Sequence, residues 1–195
     1  MPTTFVLLRH AQGTHNANSF QKPTQYKDPV YLDAELTEEG LQQTLHTGKK
    51  LRNTKFDAIF CSPLRRCRST LQGVLPQSID LPVHIDDRLI EQDDVSYACN
   101  KRLEKHDILP TCPKAWNTER VSDVNPYTET PNRSEDLARI QDFTEEVLQT
   151  YPNHTVLIVS HCGWIQRWCK MYPKKVVHLA NCQFVTDTVC NPMKN

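Results

Sequence analysis

The chain has 195 residues, with 23 basic and 23 acidic side chains and a formal net charge of zero. This length suits one domain with a full core, and the balanced charge gives no electrostatic basis for binding nucleic acid or a membrane surface. No stretch approaches the roughly 18 apolar residues of a membrane-spanning helix. We therefore expect a single domain over 1–195 that binds neither nucleic acid nor a membrane.

The N-terminal residues and the cysteines predict a reducing compartment. The sequence begins without the basic start, apolar core and small-residue cleavage site of a secretory signal. Its eight cysteines form no CxxC pair, which favours free thiols over disulfides or a structural metal site. We expect a cytoplasmic protein that needs no metal and no cofactor.

Strand and helix patterns alternate along the chain. Runs rich in Val, Ile, Leu and Phe predict buried strands at about 4–9, 56–61, 82–86 and 155–160, and a further candidate lies at 183–189. Helical periodicity covers 36–53, with Thr37 as the N-cap, and 133–151, with Ser134 as the N-cap. This alternation is typical of an α/β domain with a mostly parallel sheet.

The regular pattern breaks down between about 91 and 133. Prolines, scattered charge and three aromatic side chains (Tyr97, Trp116 and Tyr127) replace it. A connection of this length inside a domain is either functional or disordered. We interpret it as a lid or specificity segment, whose aromatic residues are equally consistent with packing the lid and with touching substrate.

Two of the predicted buried strands end in residues that a sheet interior does not favour. The first run stops at Arg9 and His10, and the run at 155–160 stops at His161. An unpaired cation is costly inside a sheet, but α/β sheets bind their ligands beyond the carboxyl ends of the strands. The pattern therefore predicts a site at this edge.

Hydrolysis of a phosphate monoester without a metal needs three kinds of group at such a site. Fixed cations hold the phosphoryl oxygens, and arginine suits this because its planar fork binds two oxygens at once. A neutral imidazole serves as nucleophile, and a carboxylic acid protonates the leaving alcohol. Candidates follow successive strands: Arg9 and His10; Arg65, Arg66 and Arg68 in a helix predicted to begin at Pro63; Glu91; and His161 with the amides of Cys162 and Gly163.

Five motifs in order resemble those of the histidine phosphatase superfamily. They are "LLRHAQGTHN", "DAELTEEGLQQ", "SPLRRCRST", "LIE" and "VSHCG", and they extend over nearly the whole chain. The "RHAQGxHN" form, with "CNKR" at 99–102 and "NC" at 181–182, is most similar to small mutase-like phosphatases of eukaryotes. The resemblance implies a phosphoglycerate-mutase-like fold with three layers, α/β/α. Ala11 and Cys162 depart from the family's usual glycines, and Gly13 from a common threonine.

The resemblance also implies a role for each matching residue. His10 attacks phosphorus and becomes phosphohistidine, while Glu91 protonates the leaving group and then activates water. The phosphoryl oxygens are held by Arg9, Arg66 and His161, with Asn16 as a further donor. Cys162 and Gly163 are additional substrate-binding candidates, and Arg102 in "CNKR" is the candidate for a distal group of the substrate.

The other basic side chains are given ordinary structural interpretations. Arg65 and Arg68 are expected to be solvated helix charges. The remaining histidines are expected on the surface or in loops, with no role: His15, His46, His84, His106, His154 and His178.

The sequence therefore predicts a metal-independent phosphatase that acts on a small phosphorylated metabolite or another phosphate monoester. Two alternatives stay open. One is a phosphoglycerate mutase that uses the same residues, and the other is a non-catalytic, phosphate-binding regulatory relative.

Overall fold

A six-stranded sheet forms the centre of the protein. The computed structural model describes residues 1–17, 26–75, 80–91, 96–126, 133–172 and 178–190. The strands are β1 (Pro2–Arg9), β2 (Ala58–Cys61), β3 (Val83–Asp86), β4 (Asn117–Arg120), β5 (Thr155–Ser160) and β6 (Phe184–Cys190). Their order is β4-β3-β2-β5-β1-β6, and β6 runs antiparallel to β1 while the other neighbours are parallel. The predicted mostly parallel sheet is confirmed.

Helices cover both faces of this sheet. In the described ranges they are α1 (Thr14–Ala17), α2 (Glu38–Leu51), α3 (Arg65–Val74), α4 (Lys105–Ile108), α5 (Arg133–Thr150) and α6 (Cys162–Met171). On one face, Val6 and Leu8 of β1 pack with apolar residues of α2 and α3. On the other, Phe5 and Leu7 pack with α5 and α6. The alternation of β1 side chains between two buried faces produces three layers.

Two predicted helix starts differ from the structure. Thr37 caps α2 as expected, since its hydroxyl oxygen accepts a hydrogen bond from the amide of Gly40 at 3.0 Å. Ser134, however, lies inside the first turn of α5 and is not its N-cap. Helix α3 begins at Arg65 rather than at Pro63, because the Asp33 carboxylate accepts a hydrogen bond from the Arg65 amide at 2.7 Å. That capping partner is distant in sequence, so no local pattern reveals it.

The segment predicted as a lid or as disorder is ordered where the structure describes it. Residues 96–126 contain two 3-10 turns (Ala98–Asn100 and Leu109–Thr111), helix α4 and strand β4. Strand β4 was not predicted. Its sequence, "NTER", is polar because the strand lies at the sheet edge and is partly exposed. Residues 92–95 and 127–132, with Tyr127, lie outside the described residues.

Two further observations concern the cysteines and the apolar length of the helices. All eight cysteines are free, as predicted. None of the helices in the described part is long and apolar enough to cross a lipid bilayer.

Strands β1 and β5 are neighbours, and their carboxyl ends coincide. Arg9 pairs with Ser160 in the parallel register, and the amide of His10 donates to the Ser160 carbonyl at 2.9 Å. This pairing places His10 and His161, the residues after each strand, side by side. Their ring centroids are 5.2 Å apart.

A close backbone contact fixes α2 against the segment that follows His10. The carbonyl oxygen of Gln12 accepts a hydrogen bond from the Thr37 amide at 3.0 Å. A Cβ added to Gly40 would lie only 2.2 Å from that same oxygen. Glycine at this position therefore allows α2 to contact the loop two residues beyond His10.

We predict that Gly40→Ala destabilises the protein, because either α2 or the Gln12 backbone must move. The expected loss is about 1–3 kcal/mol of unfolding free energy, measured by urea denaturation. Leu45→Ala on the same helix is the control, since Leu45 is 54% exposed, and its effect is expected within about 0.5 kcal/mol. Equal stability of Gly40→Ala and the wild type would contradict the prediction.

Candidate active site

A cavity of about 140 Å³ opens at the carboxyl end of the sheet. It lies beyond β1, β2 and β5, where the sequence predicted a site. Its lining combines residues from both ends of the chain: Arg9, His10, His15, Asn16, Tyr26, Arg66, Glu91, Tyr97, Cys99, Asn100 and Cys162. The structure thus brings together six of the predicted site residues and adds five others.

His10 is held in a form suited to nucleophilic attack. Its Nδ1 lies 2.7 Å from the Ala11 carbonyl oxygen, and because a carbonyl only accepts, Nδ1 carries the proton and Nε2 keeps a lone pair. Burial is the main cause that lowers the pKa of His10 well below its usual value, and the charges of Arg66 and Arg9 lower it further. The ring is therefore neutral at neutral pH.

Arg66 is a nearly fully buried cation at the base of the cavity, with 1% of its surface exposed. Its guanidinium donates to the Cys99 carbonyl, to Asn100 Oδ1 at 3.4 Å and to His161 Nδ1 at 3.1 Å. The acceptors fix the side chain from three directions. Arg66 is thus positioned without needing a ligand to orient it.

Arg9 lines the same cavity from the end of β1. One of its terminal nitrogens donates to the Leu179 carbonyl at 2.7 Å. Within the described residues, the Nε–H groups of Arg9 and Arg66 are buried without a hydrogen-bond partner. An unpaired buried donor is costly, and two on cationic side chains in one cavity are typical of an anion-binding site.

His161 is buried next to this site but does not line the cavity. Since Arg66 can only donate, His161 Nδ1 accepts and its Nε2–H donates to the Ser62 hydroxyl at 2.9 Å. Burial and then Arg66 lower the pKa of His161 well below its usual value. His161 therefore contacts Arg66 and Ser62 behind the cavity lining, and its expected contact with phosphoryl oxygens stays a prediction.

Glu91 lines the cavity at the start of α6. Its Oε2 accepts a hydrogen bond from the Gly163 amide at 2.9 Å, and its Oε1 lies 3.6 Å from an Arg167 nitrogen. The Gly163 amide was predicted to bind substrate, but it holds the carboxylate instead. Arg167 was missed in the sequence, because its position two turns into α6 carries no local signal.

Asn16 and Cys162 line the cavity as predicted. Asn16 Oδ1 accepts hydrogen bonds from the Gly13 amide at 3.2 Å and from the Asn181 side chain at 3.3 Å. With its oxygen directed to these donors, Asn16 is held in place at the cavity wall. The Cys162 sulfur lies 3.8 Å from Nδ1 of His178.

Arg102 does not reach the cavity. Its guanidinium donates to both carboxylate oxygens of Asp87, at 2.9 and 3.1 Å, and to three backbone carbonyls, those of Leu103, Ser122 and Val124. The side chain is buried, so its donors are used inside the protein. Arg102 therefore ties the described part of the 91–133 segment to Asp87, and it is not among the residues that line the cavity.

Of three other basic residues, one has its predicted surroundings and two do not. Arg65 is half exposed and pairs with Glu35, as expected of a surface charge. Arg68 is buried, not solvated, and donates to the Pro63 carbonyl at 2.8 Å. His84 lies in β3, where it stacks on Phe60 at a centroid distance of 5.0 Å, because the alternating face of the strand meets the Phe60 ring.

His15 was wrongly predicted to be a surface or loop residue without a role. It is buried, it lines the cavity and its ring centroid lies 5.7 Å from that of His10. Its place in the "RHAQGTHN" motif, five residues after His10, was the available signal. Tyr26 reaches the cavity through long-range packing and has no local sequence signal, whereas Asn100 lies in the "CNKR" segment at 99–102.

The described residues contain no group of three His, Cys, Asp or Glu side chains arranged to hold a metal ion.

The fold and this cavity define an α/β protein built to hold an anion beside a neutral histidine. The model of the histidine phosphatase superfamily (branch 1) matches residues 5–183. The chain therefore belongs to the histidine phosphatase superfamily.

Its relatives include mutases and phosphatases. The chain is 32% identical over 172 residues to a 2,3-bisphosphoglycerate-dependent phosphoglycerate mutase of Bartonella bacilliformis, covering 83% of this chain and 77% of the relative. It is 29% identical over 160 residues to phosphoserine phosphatase 1 of Hydrogenobacter thermophilus, covering 80% and 69%. The α-ribazole phosphatase of Shigella flexneri has the same fold, with a TM-score of 0.64 at 19% identity, over 94% of this chain and 89% of that one.

We predict that Arg102→Met destabilises the protein without weakening phosphate binding. Removing one partner of a buried ion pair costs about 3–5 kcal/mol, to be measured by urea denaturation. The double variant Asp87→Asn/Arg102→Met is expected to recover part of the loss, because no unpaired charge remains. Lys101→Met, at the exposed neighbouring position, is the control. A stable Arg102→Met protein with a raised KM would restore the substrate-binding role.

Proposed function

We propose that this protein is a metal-independent phosphatase that hydrolyses phosphate monoesters through a phosphohistidine on His10. The observation that carries the proposal is the set of groups at the cavity base. Two cationic side chains, Arg9 and Arg66, line the same cavity as a neutral His10 whose Nε2 keeps its lone pair. Cations for the phosphoryl oxygens and a nucleophile for phosphorus thus meet in one cavity.

In the first step, His10 Nε2 attacks phosphorus and the bond from phosphorus to the leaving oxygen breaks. Glu91 gives its proton to that oxygen, so the leaving group departs as a neutral alcohol. The His10 ring becomes positively charged as the nitrogen–phosphorus bond forms. The Nδ1–H hydrogen bond to the Ala11 carbonyl stabilises this charge.

In the second step, a water oxygen attacks the phosphohistidine and the nitrogen–phosphorus bond breaks. Glu91, now a carboxylate, takes a proton from the water, which regenerates the neutral His10 and releases inorganic phosphate. Arg9 and Arg66 hold the phosphoryl oxygens in both steps. In this scheme His161 acts by orienting Arg66, and Asn16 and Cys162 shape the wall beside the phosphoryl group.

The proposal also covers the domain organisation, the cellular compartment and the class of substrate. Strands from both ends of the chain form one sheet, which supports a single catalytic domain over 1–195, with the segment 91–133 contributing to specificity. Free thiols suit a reducing cytoplasm, and the substrate is a small phosphorylated metabolite or another phosphate monoester.

A phosphoglycerate mutase is the second candidate, because one relative at 32% identity carries that name. A mutase returns the phosphoryl group to a bound phosphoglycerate instead of to water. Stimulation by 2,3-bisphosphoglycerate, with no net release of inorganic phosphate, would support this candidate over the phosphatase.

We predict that His10→Ala abolishes hydrolysis of an aryl phosphate, because it removes the proposed nucleophile, His10 Nε2, from the cavity that Arg9 and Arg66 line. The expected loss in kcat is about 10³-fold or more, while a chelator leaves the wild type unaffected. His46→Ala, on the exposed face of α2, is the control. Rapid quenching is expected to trap a phosphorylated wild-type chain that is labile to acid.

Loss of wild-type activity in the chelator would contradict metal independence, and full activity of His10→Ala would contradict the nucleophile. A wild type that binds phosphate but turns over no ester would support the regulatory alternative.

We predict that the rate on an alkyl phosphate rises from mildly alkaline to mildly acidic pH. An alkoxide is a poor leaving group, so the first step requires a protonated Glu91. The pKa of His10 is lowered well below its usual value, so the nucleophile stays neutral over the same range and does not oppose the rise. From a nitrophenyl phosphate, the nitrophenolate leaves without needing a proton. The rate on this ester is therefore expected to depend less on pH.

Glu91→Gln is expected to reduce kcat on the alkyl ester about a hundredfold or more, with a smaller effect on the first half-reaction of the nitrophenyl ester. Glu39→Gln, an exposed carboxylate on α2, is the control. A rate on the alkyl ester that does not change with pH, or that is highest at alkaline pH, would contradict a general-acid role for Glu91.

A further inference from the structure

The charges of the cavity are gathered at its base. Among the described lining residues, the ones with formal charge are Arg9, Arg66 and Glu91. Arg9 and Arg66 lie close enough to His10 to lower its pKa, and Glu91 is held by the Gly163 amide at the start of α6. All three therefore belong to the end where the phosphoryl group is bound.

The rest of the described lining is neutral. It consists of His15, Asn16, Tyr26, Tyr97, Cys99, Asn100 and Cys162. A leaving group with a carboxylate or a second phosphate needs a cation at this end of the cavity. Arg102, the sequence candidate for that purpose, has its donors on Asp87 and backbone carbonyls. The described mouth therefore suits a leaving group without charge.

Three of the neutral residues form a connected row of rings that starts at the nucleophile. The centroid of His15 lies 5.7 Å from His10 and 5.9 Å from Tyr26, and Tyr26 lies 5.4 Å from Tyr97. Successive rings are tilted by 41°, 59° and 57°. We call His15, Tyr26 and Tyr97 the aromatic wall.

The inner end of the aromatic wall is fixed by glycine. A Cβ added to Gly13 would lie 2.7 Å from two atoms of the His15 ring, so the ring packs directly on the Gly13 backbone. Burial and the two arginines lower the pKa of His15 to about 2, which makes it a neutral ring. The aromatic wall therefore begins with a rigid, uncharged surface next to His10.

The outer end comes from two separate segments. Tyr26 precedes the 3-10 turn at Pro29–Tyr31, and Tyr97 precedes the turn at Ala98–Asn100. Both tyrosines are half-buried and line the cavity. Each thus keeps part of its ring available to a ligand while packing on the other.

We propose that the aromatic wall makes the enzyme select phosphate monoesters whose leaving group is uncharged and carries a flat aromatic ring. This specificity rests on the proposed phosphatase function. With the phosphoryl group at Arg9 and Arg66, the leaving group extends along the row of rings. A flat ring stacks there in offset or edge-to-face geometry, which a saturated ring of similar size does not match.

The test compares two esters that share the same primary alkyl oxygen, 2-phenylethyl phosphate and 2-cyclohexylethyl phosphate. The cyclohexyl ring is the more hydrophobic, so plain apolar burial does not favour the phenyl ester. We expect kcat/KM to be about tenfold higher for the phenyl ester. The anionic ester 3-phosphoglycerate is expected to be a poorer substrate than either.

Binding is measured independently of turnover. The isosteric phosphonates, 3-phenylpropylphosphonate and 3-cyclohexylpropylphosphonate, cannot be hydrolysed, and their dissociation constants are obtained by calorimetry. The same tenfold preference for the phenyl compound is expected. If no ester is hydrolysed but the phenyl phosphonate still binds more tightly, the proposed phosphatase function is rejected. The preference of the aromatic wall for a flat ring is then still supported.

Variants locate the preference on the two tyrosines. Tyr97→Leu and Tyr26→Leu are expected to bring the phenyl-to-cyclohexyl ratio close to one, whereas Tyr97→Phe and Tyr26→Phe keep the ring and the preference. Tyr31→Leu is the matched control, because Tyr31 is half-buried nearby but does not line the cavity.

Two outcomes would overturn the proposal while leaving the phosphatase intact. The first is an active wild type with equal kcat/KM and equal phosphonate affinity for the two rings. The second is a preference that the leucine variants do not change. Efficient hydrolysis of 3-phosphoglycerate over the phenyl ester would equally reject an uncharged leaving group.

Discussion

The buried guanidinium of Arg66 is the interaction on which the geometry and the electrostatics of the site both depend. It is held by the Cys99 carbonyl, the Asn100 amide oxygen and the His161 imidazole, all of them uncharged acceptors. A cation with neutral partners in a low-dielectric interior remains strongly attractive to an anion. Burial is the main cause that lowers the pKa values of His10, His15 and His161, and the charge of Arg66 lowers them further. Arg66 therefore favours an anion in the cavity and, together with burial, keeps the imidazoles around it neutral.

The neutral histidines have different hydrogen-bond partners, so they differ in whether a ring nitrogen keeps a free lone pair. His10 donates a hydrogen bond from Nδ1–H to the Ala11 carbonyl and keeps the Nε2 lone pair, whereas both nitrogens of His161 have partners, Arg66 and Ser62. The parallel pairing of β1 with β5 makes the two residues neighbours. Sheet register thus supplies their proximity, and the individual acceptors decide which imidazole is able to attack.

The elements that the sequence predicted well are those whose signals are local. Apolar runs identified β1, β2, β3, β5 and β6, and Thr37 marked the start of α2. Strand β4 was not predicted, because an exposed edge strand needs no alternation of apolar residues. The hydrogen bond of buried Arg68 to Asp33, the capping of α3 by Asp33 and the ion pair of Arg102 with Asp87 all depend on partners more than a dozen residues away. Charge type alone does not distinguish a substrate-binding arginine from one that ties two segments together.

The cavity is built from two kinds of chain segment, and they explain why its base was more predictable than its mouth. Strand ends supply Arg9 and His10, and helix starts next to the sheet supply Arg66 and hold Glu91. These positions follow from the sheet, which relatives share. Tyr26, Tyr97 and Asn100 come instead from connecting segments, whose sequences the sheet does not constrain. Membership of the superfamily thus bears on the base of the cavity, while the mouth depends on the connecting segments.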